Sequence, residues 1–160
     1  MSAQSFNCPL QLAFIPKHIL DRARKFGGNP FIDSPDDAAV TEHRLRHGDV
    51  VLFATDGVWD NLTNQQILRS ASAVMINGGA WEVGSPDGIL PTPNLDKSAA
   101  KDKIHVAVAE AIVSLAKSAS LNTKVDGPFA KEVQRAFPNE SWHGGKKDDI
   151  CVLCAVVVEN

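Results

Sequence analysis

The sequence predicts an α+β layer domain, and three observations predict it. The runs Val50–Ala54 and 150–158 are unbroken apolar stretches, the pattern of strands covered on both faces. Between them lie three stretches with helical periodicity. The resulting order, strands then helices then a closing strand, fits an α+β layer better than strict alternation of strand and helix. At 160 residues the chain has the size of one domain.

Each element has its own signal. Residues 9–14 alternate well enough for a short strand, and 39–45 suggest another before Gly48-Asp49 turns the chain. Val50–Ala54 follows and stops at Thr55-Asp56-Gly57. Thr63 and Gln66 have the spacing of a capping box, with Leu62 and Ile67 placed as a hydrophobic staple. Ile67, Leu68, Ala71, Val74 and Met75 then form an apolar stripe. Residues 77–98 hold four glycines and three prolines and read as a flexible surface insertion. A second helix is expected over 99–119, with Ile104, Val108, Ile112 and Leu115 at helical spacing. A third opens at Pro128, which suits a first helical position, and carries Phe129, Val133 and Phe137 up to Pro138. Two strands demanding cover on both faces, with helices enough for one, leave a sheet face without an obvious covering layer.

Composition excludes several classes. Lys and Arg number 16 against 19 Asp and Glu, a net charge of −3, which lacks the basic excess of a nucleic-acid binder. Hydrophobic residues at 44% and charged residues at 22% are ordinary for a folded soluble domain. No run approaches the roughly 20 apolar residues of a membrane span, and the first residues have neither the basic nor the apolar region of a secretory signal. Cys8, Cys151 and Cys154 are too few for a disulfide scaffold. Cys151 and Cys154, three apart on a strand, point to opposite faces, so they are expected as plain buried thiols rather than a metal pair.

Chemistry concentrates at two strand ends. Asp56 follows the Val50–Ala54 strand, and Asp148 with Asp149 precedes the last one. If these strands are antiparallel neighbours, the carboxylates converge, and crowded carboxylates repel unless a proton or a cation intervenes. Hard oxygen donors of this kind suit Mg²⁺ or Mn²⁺. Gly57 permits a tight turn, and Gly144-Gly145 lets backbones approach closely. Lys146-Lys147 could hold a phosphate, although offsetting the local negative charge is the simpler reading. The five histidines show no metal-binding spacing; His105 reads as a surface or boundary residue on a helix and His143 as a loop residue. A dehalogenase-type phosphatase is excluded because Ala54 stands where its nucleophilic aspartate would be.

These residues carry a family resemblance. The stretch Gly48-Asp49-Val50-Val51-Leu52-Phe53-Ala54-Thr55-Asp56-Gly57-Val58-Trp59-Asp60-Asn61 resembles the G-D-x-x-x-x-A-[ST]-D-G-x-[FW]-D-N segment of the metal-dependent protein Ser/Thr phosphatases (type 2C, or PPM). Gly144 to Val152 is similar to that family's late G-x-x-D-[DN]-[IM]-[ST]-V segment. Phe6 to Leu12 and Asp33 to Ala38 resemble the fungal and plant branch that includes mitochondrial phosphatases.

The resemblance implies a partial α-β-β-α sandwich, with residues 1–160 as its C-terminal part, the N-terminal portion missing and an insertion at 77–98. It implies Asp56 and Asp148 as ligands of one metal in a two-metal centre, with Gly57 and Asp149 as supporting positions. It implies Mg²⁺ or Mn²⁺ as cofactor, a phosphoprotein as substrate, and hydrolysis by a metal-activated water. The family's early D-G-x-G-G segment has no counterpart here, nor do its phosphate-binding arginine and its proposed general-acid histidine, so no catalytic side chain is assigned. The chain alone is therefore expected to turn over little substrate and to self-associate through its uncovered sheet face. The alternative is a non-catalytic module that binds metal or a partner. A mitochondrial location is suggested by the branch alone.

Overall fold

The computed structural model describes residues 3–5, 8–9, 12, 14–28, 32–84, 88–96 and 103–159. The chain divides into two compact units, Met1–His43 and Arg44–Asn160.

In the first unit, β1 (Ala3–Ser5) pairs antiparallel with β2 (Cys8–Pro9). Leu12 makes an isolated bridge to Asp33; the rest of the strand expected over 9–14 lies partly outside the described residues. Helix α1 (Lys17–Lys25) follows, with basic residues in its last turn, where the helix dipole favours them. A 3-10 turn at Pro35–Asp37 is capped by Ser34, whose backbone N–H and hydroxyl both donate to Asp37 Oδ2 at 2.7 and 2.9 Å. Residues 39–45 do not form the expected strand. Among the described residues no strand pairs with this stretch, and Val40 stays 89% exposed.

The second unit is built on an antiparallel pair, β3 (Val50–Ala54) and β6 (Val152–Val156). The register sets Leu52 opposite Cys154, and Ala54 opposite Val152. Because side chains alternate, residues 50, 52 and 54 of β3 and 152, 154 and 156 of β6 share the face packed on the core. Phe53 and Leu153, also opposite one another, point the other way and are 64% and 65% exposed. Among the described residues, the expected cover on both faces is thus met on one face only. The covering helix is α4 (Ile104–Ser120), which packs against β6, and α3 (Asn64–Asn77) packs on α4 in turn.

Helix α3 begins as the capping box predicts. Gln66 N–H donates to Thr63 Oγ1, and Thr63 N–H donates to Gln66 Oε1 at 2.9 Å. Leu62, Ile67, Ala71 and Met75 are buried, but Leu68 is 62% exposed and leaves the expected stripe. Helix α4 buries Ile104, Val108, Ile112 and Ala116, while Leu115 stays partly exposed. Helix α5 (Pro128–Ala136) starts with Pro128 in its first turn. Residues 77–98 are not irregular throughout. They contain a hairpin, β4 (Trp81–Gly84) with β5 (Gly88–Pro91), and the flanking Ala80 and Leu95 are fully buried in the core. Apolar anchors thus hold a segment that its glycines and prolines mark as a loop. The cysteines do point to opposite faces, but only Cys154 is buried; Cys151, just before β6, is exposed. Burial raises the Cys154 thiol to about 11. No helix among the described residues is long and apolar enough to cross a membrane.

Candidate metal centre

Antiparallel pairing brings the end of β3 and the approach to β6 to the same edge of the sheet. The chain leaves β3 through Thr55, the N-cap of a single helical turn, α2 (Asp56–Trp59). Thr55 sews the two ends together. Its hydroxyl donates to the Asp149 carbonyl at 2.8 Å and accepts from Cys151 N–H at 3.0 Å, and its own N–H donates to the Cys151 carbonyl at 3.1 Å. A serine or threonine is needed here because one side chain must both give and accept a hydrogen bond.

Carboxylate oxygens of Asp56, Asp60 and Asp148 lie within 4.8 Å of one another. Asp56 and Asp60 share one side of α2 because they are four residues apart, and Asp60 N–H donates to the Asp56 carbonyl at 2.7 Å. Asp148 is oriented by the next N–H, that of Asp149, which donates to its Oδ1 at 2.9 Å. The structure thus brings Asp56 and Asp148 together and adds Asp60, which the sequence reading passed over. Its spacing of four from Asp56 was the available signal, hidden because Asp-Gly reads as a turn rather than a helix start. Asp149 contributes its backbone groups, and its side chain is exposed.

Gly57 sits here for a reason other than a tight turn. It lies inside α2, and a Cβ would collide with the Asp149 carbonyl oxygen and come within 3.2 Å of the Asp148 Cβ. Gly144 and Gly145 do allow close approach. Gly144 has φ +84°, and a Cβ on Gly145 would lie 2.7 Å from the Ser120 Cα. His143 Nδ1 lies 3.2 Å from Asp126 Oδ2, and Gly144 N–H donates to Asp126 Oδ1 at 2.7 Å. His105 is half-buried on α4.

Lys146 is the cation of the site. Its Nζ donates to Asp60 Oδ2 at 2.6 Å and forms an ion pair with Asp148 Oδ2 at 2.8 Å, with the Phe129 ring centroid at 4.8 Å. Burial disfavours its charge, but the hydrogen bonds to Asp148 and Asp60 outweigh that and push it up to about 12. The same Lys146 hydrogen bond, then the Asp149 N–H, hold Asp148 below the usual carboxylate range. Lys147 is exposed.

Helices thus cover one face of an antiparallel pair, and three carboxylates gather at its edge. The chain is 32% identical over 152 residues to the protein phosphatase PTC7 homolog fig of Drosophila willistoni, covering 95% of this chain and 39% of the relative. It is 27% identical over 148 residues to the mitochondrial protein phosphatase 2C homolog 7 of Saccharomyces cerevisiae, covering 92% of this chain and 36% of the relative. The X-ray structure of the photosystem II phosphatase PBCP shares the fold, with a TM-score of 0.57 at 23% identity over 97% of this chain and 48% of that one. No family model matches the sequence. The sequence relatives are named as protein phosphatases, the yeast one as a homolog of type 2C. It spans about two-fifths of the length of the curated relatives it matches.

Proposed function

We propose that the chain is the metal-holding stretch of a protein serine/threonine phosphatase, with Asp56, Asp60 and Asp148 as oxygen donors to Mg²⁺ or Mn²⁺. The observation that carries this reading is the convergence of three carboxylates, from two chain segments, at one edge of the sheet. Their chemistry fits a hard divalent ion, and partial exposure leaves room for the water ligands such ions keep. When bound, the ion supplies charge neutralisation at a phosphoryl group and a more acidic water. The chain's own residues hold the donors. Thr55 locks the two backbone segments in register, Gly57 keeps them in contact, and the Asp149 N–H aims Asp148. A phosphoprotein substrate follows from the names of the relatives, and a mitochondrial location from that of the yeast protein.

The test is calorimetric titration of Mn²⁺ into the chain and its Asp56→Ala and Asp148→Ala variants. Binding by the wild type, lost in both variants, is the expected result, and a wild type that binds no Mn²⁺ would overturn the metal site. Exchanged for the matched stretch of the yeast relative, the chain is expected to support Mn²⁺-dependent phosphate release from a phosphoserine peptide. A second reading, a metal- or partner-binding module, draws on the exposed Phe53 and Leu153. It is favoured if Mn²⁺ binds but the exchanged protein releases no phosphate.

A further inference from the structure

Lys146 stands where a metal ion would have to work. Its ammonium takes one oxygen, Oδ2, from each of Asp60 and Asp148. The other Asp148 oxygen already accepts the Asp149 N–H. The lysine is also delivered to this place by its surroundings. Its backbone N–H donates to Asn61 Oδ1 at 2.9 Å, and its carbonyl accepts from Asn61 Nδ2 at 2.8 Å, so the residue is pinned to the carboxylate-bearing turn. Phe129 covers the ammonium, and the Trp142 ring stands edge-on to Phe129 with centroids 5.3 Å apart. The Lys146 side chain is only 18% exposed, so the contact is not a loose surface pair.

We propose that Lys146 is a tethered counter-cation that competes with a divalent metal for Asp60 and Asp148 and so weakens metal binding at this site. The proposal rests on the metal reading above. A metal drawing on these oxygens displaces the ammonium from at least one of them, and the two positive charges then stand a few ångströms apart. Repulsion of that kind, reduced by water and salt, corresponds to about a tenfold loss of affinity. With no metal bound, the lysine relieves the repulsion among three carboxylates, so the folded site does not depend on the ion.

Titration calorimetry with Mn²⁺ alone tests this on the full chain, with circular dichroism confirming that each variant folds. Lys146→Met and Lys146→Gln are expected to bind Mn²⁺ about tenfold more tightly than the wild type. Lys146→Arg, which keeps the charge, is expected to retain the weaker wild-type affinity. Without metal, the Met and Gln variants are expected to melt below the wild type and to recover the difference as Mn²⁺ is added. Equal or weaker binding by the Met and Gln variants, with Asp56→Ala still abolishing wild-type binding, overturns the proposal alone. Absence of Mn²⁺ binding in the wild type overturns the metal reading beneath it. The Gln variant keeps the test valid if the Met variant does not fold.

Discussion

Asn61 joins the two halves of the site with one side chain. Its Nδ2 donates to the Gly57 and Lys146 carbonyls, both at 2.8 Å, and its Oδ1 accepts the Lys146 N–H. At 3% exposure it replaces water for three backbone groups that would otherwise be buried without partners. A comparable clip lies at Asp126, whose carboxylate accepts from Gln134 Nε2 at 2.9 Å and from Gly144 N–H at 2.7 Å, with His143 beside it. The Gln134 bond, then the Gly144 N–H and His143, depress Asp126 from 3.8 to about 2. A carboxylate depressed on folding stabilises fully above its unfolded value, and the contribution is lost as pH falls through the folded one. Asp126→Asn should therefore melt below the wild type at pH 7, and the gap should close as pH falls from about 4 to about 2. Thermal melts across that range check it, and a gap constant with pH would refute it. The carboxylates at the strand ends were legible as sequence because they bracket two apolar runs. The roles of Asn61, Asp126 and Lys146 were not, because each depends on which backbone groups the fold places beside it.

Helix α3 shows what a local signal can do for an element. Thr63 and Gln66 satisfy each other's backbone N–H groups at a turn exposed to solvent, so the benefit is confined to the cap. Thr63→Ala should cost about 1 kcal/mol, seen as a melting midpoint lower by about 3 °C. Thr63→Ser should restore most of it, and equal midpoints for wild type and Thr63→Ala would show that the cap contributes nothing. Elements with such self-contained signals were readable. The helix periodicities, the Pro128 start and both strands of the main pair sit close to their expected places, while the part of the second helix expected over 99–102 lies outside the described residues. Those that depend on remote partners were not. The hairpin of β4 and β5 is held where Ala80 and Leu95 enter the core, and α1 buries none of its residues, so no apolar stripe announces it. The 39–45 stretch alternates as a strand would, yet alternation alone cannot supply a neighbour to pair with.

At the scale of the whole molecule the unresolved demand is the outer face of the β3–β6 pair. Leu52, Cys154 and their same-face neighbours are covered by helices, whereas Phe53 and Leu153 face outward from adjacent positions and remain mostly exposed. An antiparallel pair with both faces apolar is the pattern of a layer inside a larger stack. The matched relatives carry further sequence beyond the two-fifths aligned here, and the photosystem II phosphatase is about twice as long as the region it shares. A chain presenting this face to water should hide it against a second copy. Sedimentation of the wild type is expected to show association rising with concentration, along with binding of a hydrophobic dye. The double variant Phe53→Ser with Leu153→Ser leaves the helix-covered face untouched, because alternation puts both substitutions on the outer side. It should sediment as a monomer and bind less dye, with its far-ultraviolet circular dichroism unchanged. A wild type that stays monomeric and dye-free, or a double variant that still associates, would refute this pairing of outer faces.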